Sequence, residues 1–165
     1  QRHRGRRRYR IHEEVGSAGQ TVSTLLLPDV NILVGAFRVD NINHGKCRPW
    51  LETAIRIEQP IALSELTLAA VIRIATNWKT HKPPSELREA IGYCNYLKEL
   101  GWVMMIEPGP HHWAIFTSLL AETNTVGSAT TDAYLAALAI EHDCTFVTLD
   151  RDSARFPNLE WIEPV

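Results

Sequence analysis

Four acidic residues of this 165-residue sequence, Asp29, Glu65, Asp132 and Asp150, sit beside short apolar runs that read as strands or helices. Asp29 comes just after Leu25-Leu26-Leu27, and Glu65 follows Ser64 at the end of Ile61-Ala62-Leu63. Asp132 opens an apolar helical run, while Asp150 closes Thr145 to Leu149 and has Asp152 two residues on. Carboxylates crowded into one pocket repel each other, which raises the pKa of some of them. A divalent cation relieves that repulsion, and an all-oxygen donor set suits Mg2+ or Mn2+ rather than zinc. Such an ion clamps a phosphate and lowers the pKa of bound water. Two of them about 3.5–4 Å apart would steady both the attacking and the leaving oxygen. Phosphate chemistry of this kind requires no covalent nucleophile.

Each acid also has a plainer reading. Asp29 suits a helix N-cap. Glu65 and Asp132 fall in first helical turns, where the dipole favours negative charge. Asp150 could simply start a turn with Arg151 and Asp152. Residue types alone leave both readings open. Asp29-Val30-Asn31 is similar to a phosphatase loop with an aspartyl nucleophile, but that chemistry wants a second acid where Asn31 stands. His111-His112-Trp113 lacks HExxH spacing and falls at a helix start, where surface or capping roles are expected; no GxGxxG or GxxxxGK[ST] loop occurs.

The acids can meet only if the chain folds around them. Leu25 to Leu27, Ile61 to Leu63, Trp102 to Ile106 and Thr145 to Leu149 are short apolar strand candidates without polar alternation, and Trp161-Ile162 adds a fifth at the edge. Between them lie helical stretches. One starts at Asp29. A second runs from His44 to Glu58, with Pro49 expected to limit its start. A third is capped by Ser64, and a fourth is capped by Ser85 and ends at Gly101. His111 to Glu122 forms a fifth, and Thr130 or Thr131 caps the run from Asp132 to Glu141. Alternating strands and helices predict an α/β fold with a central, mostly parallel sheet of four to five strands between two helical layers. In such a sheet ligands bind beyond the carboxyl ends of the strands, which is where the four acids fall.

Residues 1–23 read as a basic, disordered or non-native extension, and residues 24–165 as a single domain. Six of the 17 basic residues are Arg2, Arg4, Arg6, Arg7, Arg8 and Arg10, whereas only Glu13 and Glu14 of the 19 acids precede Leu25. From Leu25 onward 11 Lys and Arg therefore face 17 Asp and Glu, a net charge of −6 against −2 for the whole chain. An acidic body repels nucleic acid unless metal or local cations offset it. Arg73, Lys79 and Lys82 are candidate contacts to nucleic-acid phosphates, with a solvated face as the plainer reading; Arg38 and Lys46 stand beside them. No apolar run approaches the roughly 20 residues of a membrane span, so a cytoplasmic protein with no membrane partner is expected. Cys47, Cys94 and Cys144 lack CxxC spacing and read as small buried hydrophobes. Most of the five tryptophans are expected in the core.

Three separated segments carry a family resemblance. DAYLAALAIEHDCTFVTLDRDSARFPNLEWIEP, Asp132 to Pro164, resembles the C-terminal half of VapC-type toxins of the PIN-domain family. LLLPDVNIL, from Leu25, resembles their first strand and first acid, and ALSELTLAAVIRIATN, from Ala62, the segment with their second. The resemblance implies a PIN-like three-layer fold over residues 24–165. It further implies a metal-dependent endoribonuclease toxin that cuts RNA, is silenced by a VapB-type antitoxin and forms a homodimer. Asp29, Glu65, Asp132 and Asp150 match the family's catalytic acids, with Asp29, Asp132 and Asp150 as metal ligands. Asn31 matches a polar position that orients the first acid, and Thr148 a small hydroxyl just before the last. Asp152 is an optional fifth carboxylate. Trp50 is the tryptophan expected to face the antitoxin, because family members bind it across their early helices. The competing class is an RNA binder that blocks translation by occupancy, distinguished by RNA that stays full length in the presence of Mg2+ or Mn2+.

Overall fold

A computed structural model describes residues 24–165; the Arg-rich stretch and everything expected of residues 1–23 lie outside the described residues. Five short strands form one sheet: β1 (Leu26–Pro28), β2 (Ile61–Leu63), β3 (Val103–Met105), β4 (Thr145–Val147) and β5 (Trp161–Ile162). Their order is β3-β2-β1-β4-β5, and every pairing is parallel. The expected three-layer α/β/α architecture is present, with five parallel strands among the described residues. β1, β2 and β4 are buried along their whole length, which is why they read as unbroken apolar runs rather than alternating ones.

Six α-helices flank the sheet: α1 (Val30–Phe37), α2 (His44–Arg56), α3 (Glu65–Ala75), α4 (Leu87–Glu99), α5 (His112–Thr123) and α6 (Thr130–Glu141). The main core joins Ile32 and Leu33 of α1, Trp50 and Leu51 of α2, Leu68 and Val71 of α3 and Leu97 of α4 to one side of the sheet. On the other side Leu135 and Leu138 of α6 pack on Leu27 and Phe146, and Ala133, Ala136 and Ala137 pack against Leu119 and Phe156. Helices α3 and α4 form an antiparallel hairpin. Ser85 N–H donates to Ala75 O at 2.9 Å near its tip, and Lys98 Nζ meets Glu65 Oε1 at 3.2 Å near its base.

Several boundaries differ from expectation. Pro49 lies inside α2 rather than limiting its start. The hydrogen bond it cannot donate would go to the carbonyl of Gly45, and both residues are exposed, so solvent serves that carbonyl. Ser85 does not cap α4. Glu86 stands at that cap, and the Ser85 hydroxyl accepts from Arg38 Nη1 at 2.7 Å. Neither Thr130 nor Thr131 caps α6, because a 3-10 turn at Gly127–Ala129 runs directly into it and leaves Ala129 at the cap. Trp50 is buried in the core at 4% exposure, so the side chain expected to face a partner faces α1 and the sheet instead. Trp78 and Trp113 are the exposed tryptophans, at 62% and 70%. The three cysteines are buried and free, as expected.

Candidate active site

Asp29 is the first residue beyond β1 and the N-cap of α1. Its N–H donates to Val147 O at 2.8 Å, which ties the end of β1 to the end of β4. Three donors then hold its buried carboxylate. Val30 N–H reaches Oδ1 at 2.6 Å, while Asn31 Nδ2 and the Thr148 hydroxyl reach Oδ2 at 2.5 and 2.7 Å. Thr148 is wholly buried, and its oxygen also accepts from Asp150 N–H at 3.0 Å and from Asn31 Nδ2 at 3.1 Å. Asn31 Oδ1 accepts from Leu149 N–H at 3.3 Å. Asn31 and Thr148 thus clamp the first acid between two adjacent strand ends.

Burial pushes the Asp29 carboxyl up to about 6. The Thr148 and Val30 hydrogen bonds pull it down, and the negative charges of Asp132 and Asp150 push it further up. Asp132, half-buried in the first turn of α6, is raised by burial, then by Asp150; Arg155 lowers it, and Asp152 raises it. Asp150 caps the 3-10 turn Arg151–Arg155 and accepts Asp152 N–H on Oδ1 at 2.9 Å. Asp29, Asp132, Asp150 and Asp152 therefore share one electrostatic neighbourhood at the carboxyl ends of β1 and β4, although they span more than a hundred positions of sequence.

Glu65 is not among the charges named as acting on Asp29 or Asp132. It opens α3 under the Ser64 cap, but its side chain is 77% exposed and pairs with Lys98. Arg73, Lys79 and Lys82 are exposed on α3 and the hairpin tip. Arg38 is committed to structure, holding Asp40 through two contacts at 2.8 and 2.7 Å and donating to Ser85 Oγ and Pro83 O. Of the paired histidines, His111 is the exposed cap of α5, but His112 is buried. It lies 3.0 Å from Tyr134 O through Nε2 and stacks with Phe116. Sequence reading missed Arg155, a cation whose charge acts on Asp132. The guanidinium rests 4.9 Å from the ring of Phe156, which packs on α6 beside Asp132. Its spacing, five residues after Asp150, was the available signal.

The donors suit a hard divalent cation. They are carboxylate oxygens, they carry mutually unfavourable charge, and Asp29 is desolvated, so a positive ion would relieve a strain visible in its raised pKa. Among the described residues no three His, Cys, Asp or Glu side chains are arranged to hold an ion as they stand. The acids form an open rim rather than a closed cage.

Comparison with known proteins identifies the family and the fold. A family model described as the PIN domain matches residues 26–159. Ribonuclease VapC25 of Mycobacterium tuberculosis is 34% identical over 140 residues, covering 85% of this chain and 99% of that protein. A solved structure of VapBC2 from Rickettsia felis bound to a DNA fragment from their promoter matches with a TM-score of 0.62 and 19% identity, over 86% of this chain and 99% of that one. That of Mycobacterium tuberculosis VapC20, described as a Sarcin-Ricin loop cleaving toxin, matches with a TM-score of 0.61 and 12% identity, over 81% and 98%. These two structural likenesses concern the fold.

Proposed function

This chain belongs to the PIN-domain family, and from that premise we propose that it is an endoribonuclease toxin whose Asp29, Asp132 and Asp150 hold Mg2+ or Mn2+. The observation that carries the reading is that the charges of Asp132 and Asp150 act on the buried Asp29, which is raised to about 6; the three carboxylates would have to draw together around the ion to hold it. A bound divalent ion would supply charge neutralisation at the scissile phosphate and a more acidic water. The chain's own residues do the positioning. Thr148 and Asn31 fix the carboxylate of Asp29, the Thr148 hydroxyl also anchors the backbone of Asp150, and Asp152 extends the rim. Arg155 supplies a cation for an incoming phosphate. Glu65 is the fourth proposed acid and serves only by exchanging its partner Lys98.

The name of VapC25 supports RNA as substrate, and the VapBC2 complex supports a VapB-type antitoxin as partner. An Arg fork from such an antitoxin would match these carboxylates bidentately and compete with the cation; added Mg2+ is then expected to weaken inhibition. A homodimer is the proposed assembly. No helix among the described residues is long and apolar enough to cross a membrane.

The test is transcriptome-wide mapping of new RNA ends after induction of the parent and of Asp29→Asn. New ends with the parent alone are expected. Equal cutting by the variant would refute the role of Asp29. The open arrangement of the rim is the one feature that favours non-catalytic RNA binding; arrested translation with every RNA intact, Mg2+ or Mn2+ being present, would establish that reading instead.

A further inference from the structure

We propose that the tip of the α3–α4 hairpin is a second contact point for single-stranded RNA, where a base stacks on Trp78 and flanking phosphates meet Lys79 and Lys82. The inference rests on the ribonuclease reading and extends it to the far end of α3, which rises about 15 Å over the ten residues from Glu65 to Ala75. Trp78 follows the end of α3 and is 62% exposed, so its ring has a face free for another π-system. Lys82 Nζ lies 5.9 Å from that ring, which places a cation beside the platform. Lys79 and Lys82 are exposed, and no described residue forms an ion pair with either.

One face of α3 runs from Glu65, beyond the end of β2, towards the tip. Glu65, Ala69 and Arg73 recur at helical spacing and are all exposed. Helix α1 runs alongside in the same sense. It starts at Asp29, and its far end is fixed to the tip by Arg38, which donates to Ser85 Oγ and Pro83 O. A strand cut at the rim can therefore lie along α3 past the small side chain of Ala69, meet Arg73 midway and end on Trp78. Cations concentrate on this path: the body from Leu25 onward is net −6, yet Arg73, Lys79 and Lys82 gather here, with Glu86 and Glu89 exposed where α4 begins. An aromatic face with interleaved cations is the combination that binds single strands with little sequence preference.

The experiment uses the Asp29→Asn chain, so that RNA stays intact, and fluorescein-labelled mixed-sequence single-stranded RNAs of about 4 and about 16 nucleotides. Trp78→Ala is expected to weaken binding of the longer probe about tenfold, in the range of one lost stacking contact, and to leave the shorter probe unchanged. Trp78→Phe should recover most of the loss, because a ring suffices. Lys79→Ala with Lys82→Ala should flatten the salt dependence of the longer probe. Unchanged affinity of Trp78→Ala for the longer probe overturns the proposal while leaving the nuclease reading standing. Loss of VapB-type antitoxin binding without loss of RNA binding also overturns it, assigning the tip to a protein. Failure of the Asp29→Asn chain to bind either probe overturns both readings.

Discussion

Asp29 carries two demands in tension. As an N-cap it accepts from Val30 N–H, and as a buried acid its ionised form is disfavoured. Because its folded pKa, about 6, lies above its ordinary value of 3.8, the native state binds the extra proton between those values. Stability from this group is therefore fully present below about pH 4 and is lost as pH rises through 6, by roughly 2–3 kcal/mol. Asp29→Asn lacks that loss. In chelator-treated protein, urea unfolding should show the variant gaining on the parent by that order between pH 4 and 7.5. A flat difference would mean that Asp29 is not desolvated. Thr148→Val is the complementary change. It removes a donor to Asp29 and an acceptor for Asp150 N–H, at a cost of about 1–3 kcal/mol for buried groups left unpaired. It should also weaken Mn2+ binding in calorimetry, since both acids lose their anchor.

At the scale of elements, the α3–α4 hairpin holds Glu65 in an exposed ion pair, and such pairs are worth about 0–1 kcal/mol. Glu65→Gln should accordingly leave melting nearly unchanged and reduce RNA cleavage less than Asp29→Asn does. Equal loss in the two variants would show that Glu65 joins the working site. Close packing of α1 on α2 gives a second expectation. A Cβ added at Gly35 would lie 2.7 Å from Cys47 Sγ, so Gly35→Ala should destabilise by about 1–3 kcal/mol in chemical denaturation. The strands were legible in the sequence because β1, β2 and β4 are buried along their whole length, which leaves unbroken apolar runs. Asp29 and Ser64 were legible as caps because their partners lie within three residues. Ser85 was not, because its hydroxyl answers to Arg38, 47 positions away. Trp50 differs from expectation for the opposite reason: its spacing with Cys47, Leu51 and Ala54 marks an inward stripe, but the expectation rests on resemblance. The convergence of Asp29 with Asp132 and Asp150 followed from strand order. The side-chain turn of Glu65 towards Lys98 did not, since long-range pairing leaves no local signature.

Across the whole molecule, the rim gathers negative charge on a body that is already acidic. Among the described residues, Arg155 is the cation that lowers Asp132. A cation that binds the folded chain alone stabilises it by mass action, about 2.7 kcal/mol at a hundredfold excess over Kd. Mn2+ titrated into the parent should raise its melting temperature, and Asp29→Asn should respond much less. A parent indifferent to Mn2+ and Mg2+ would argue against any ion at the rim.

The placement of β1 between β2 and β4 also sets a timetable. The ribosome makes Asp29 before the strand and hydroxyl that fix it, since β4 and Thr148 are synthesised almost 120 residues later. A growing chain therefore cannot assemble the proposed site until β4 has emerged. If the proposed activity holds, the cell making it gains that interval for an inhibitor to be at hand before the blade exists.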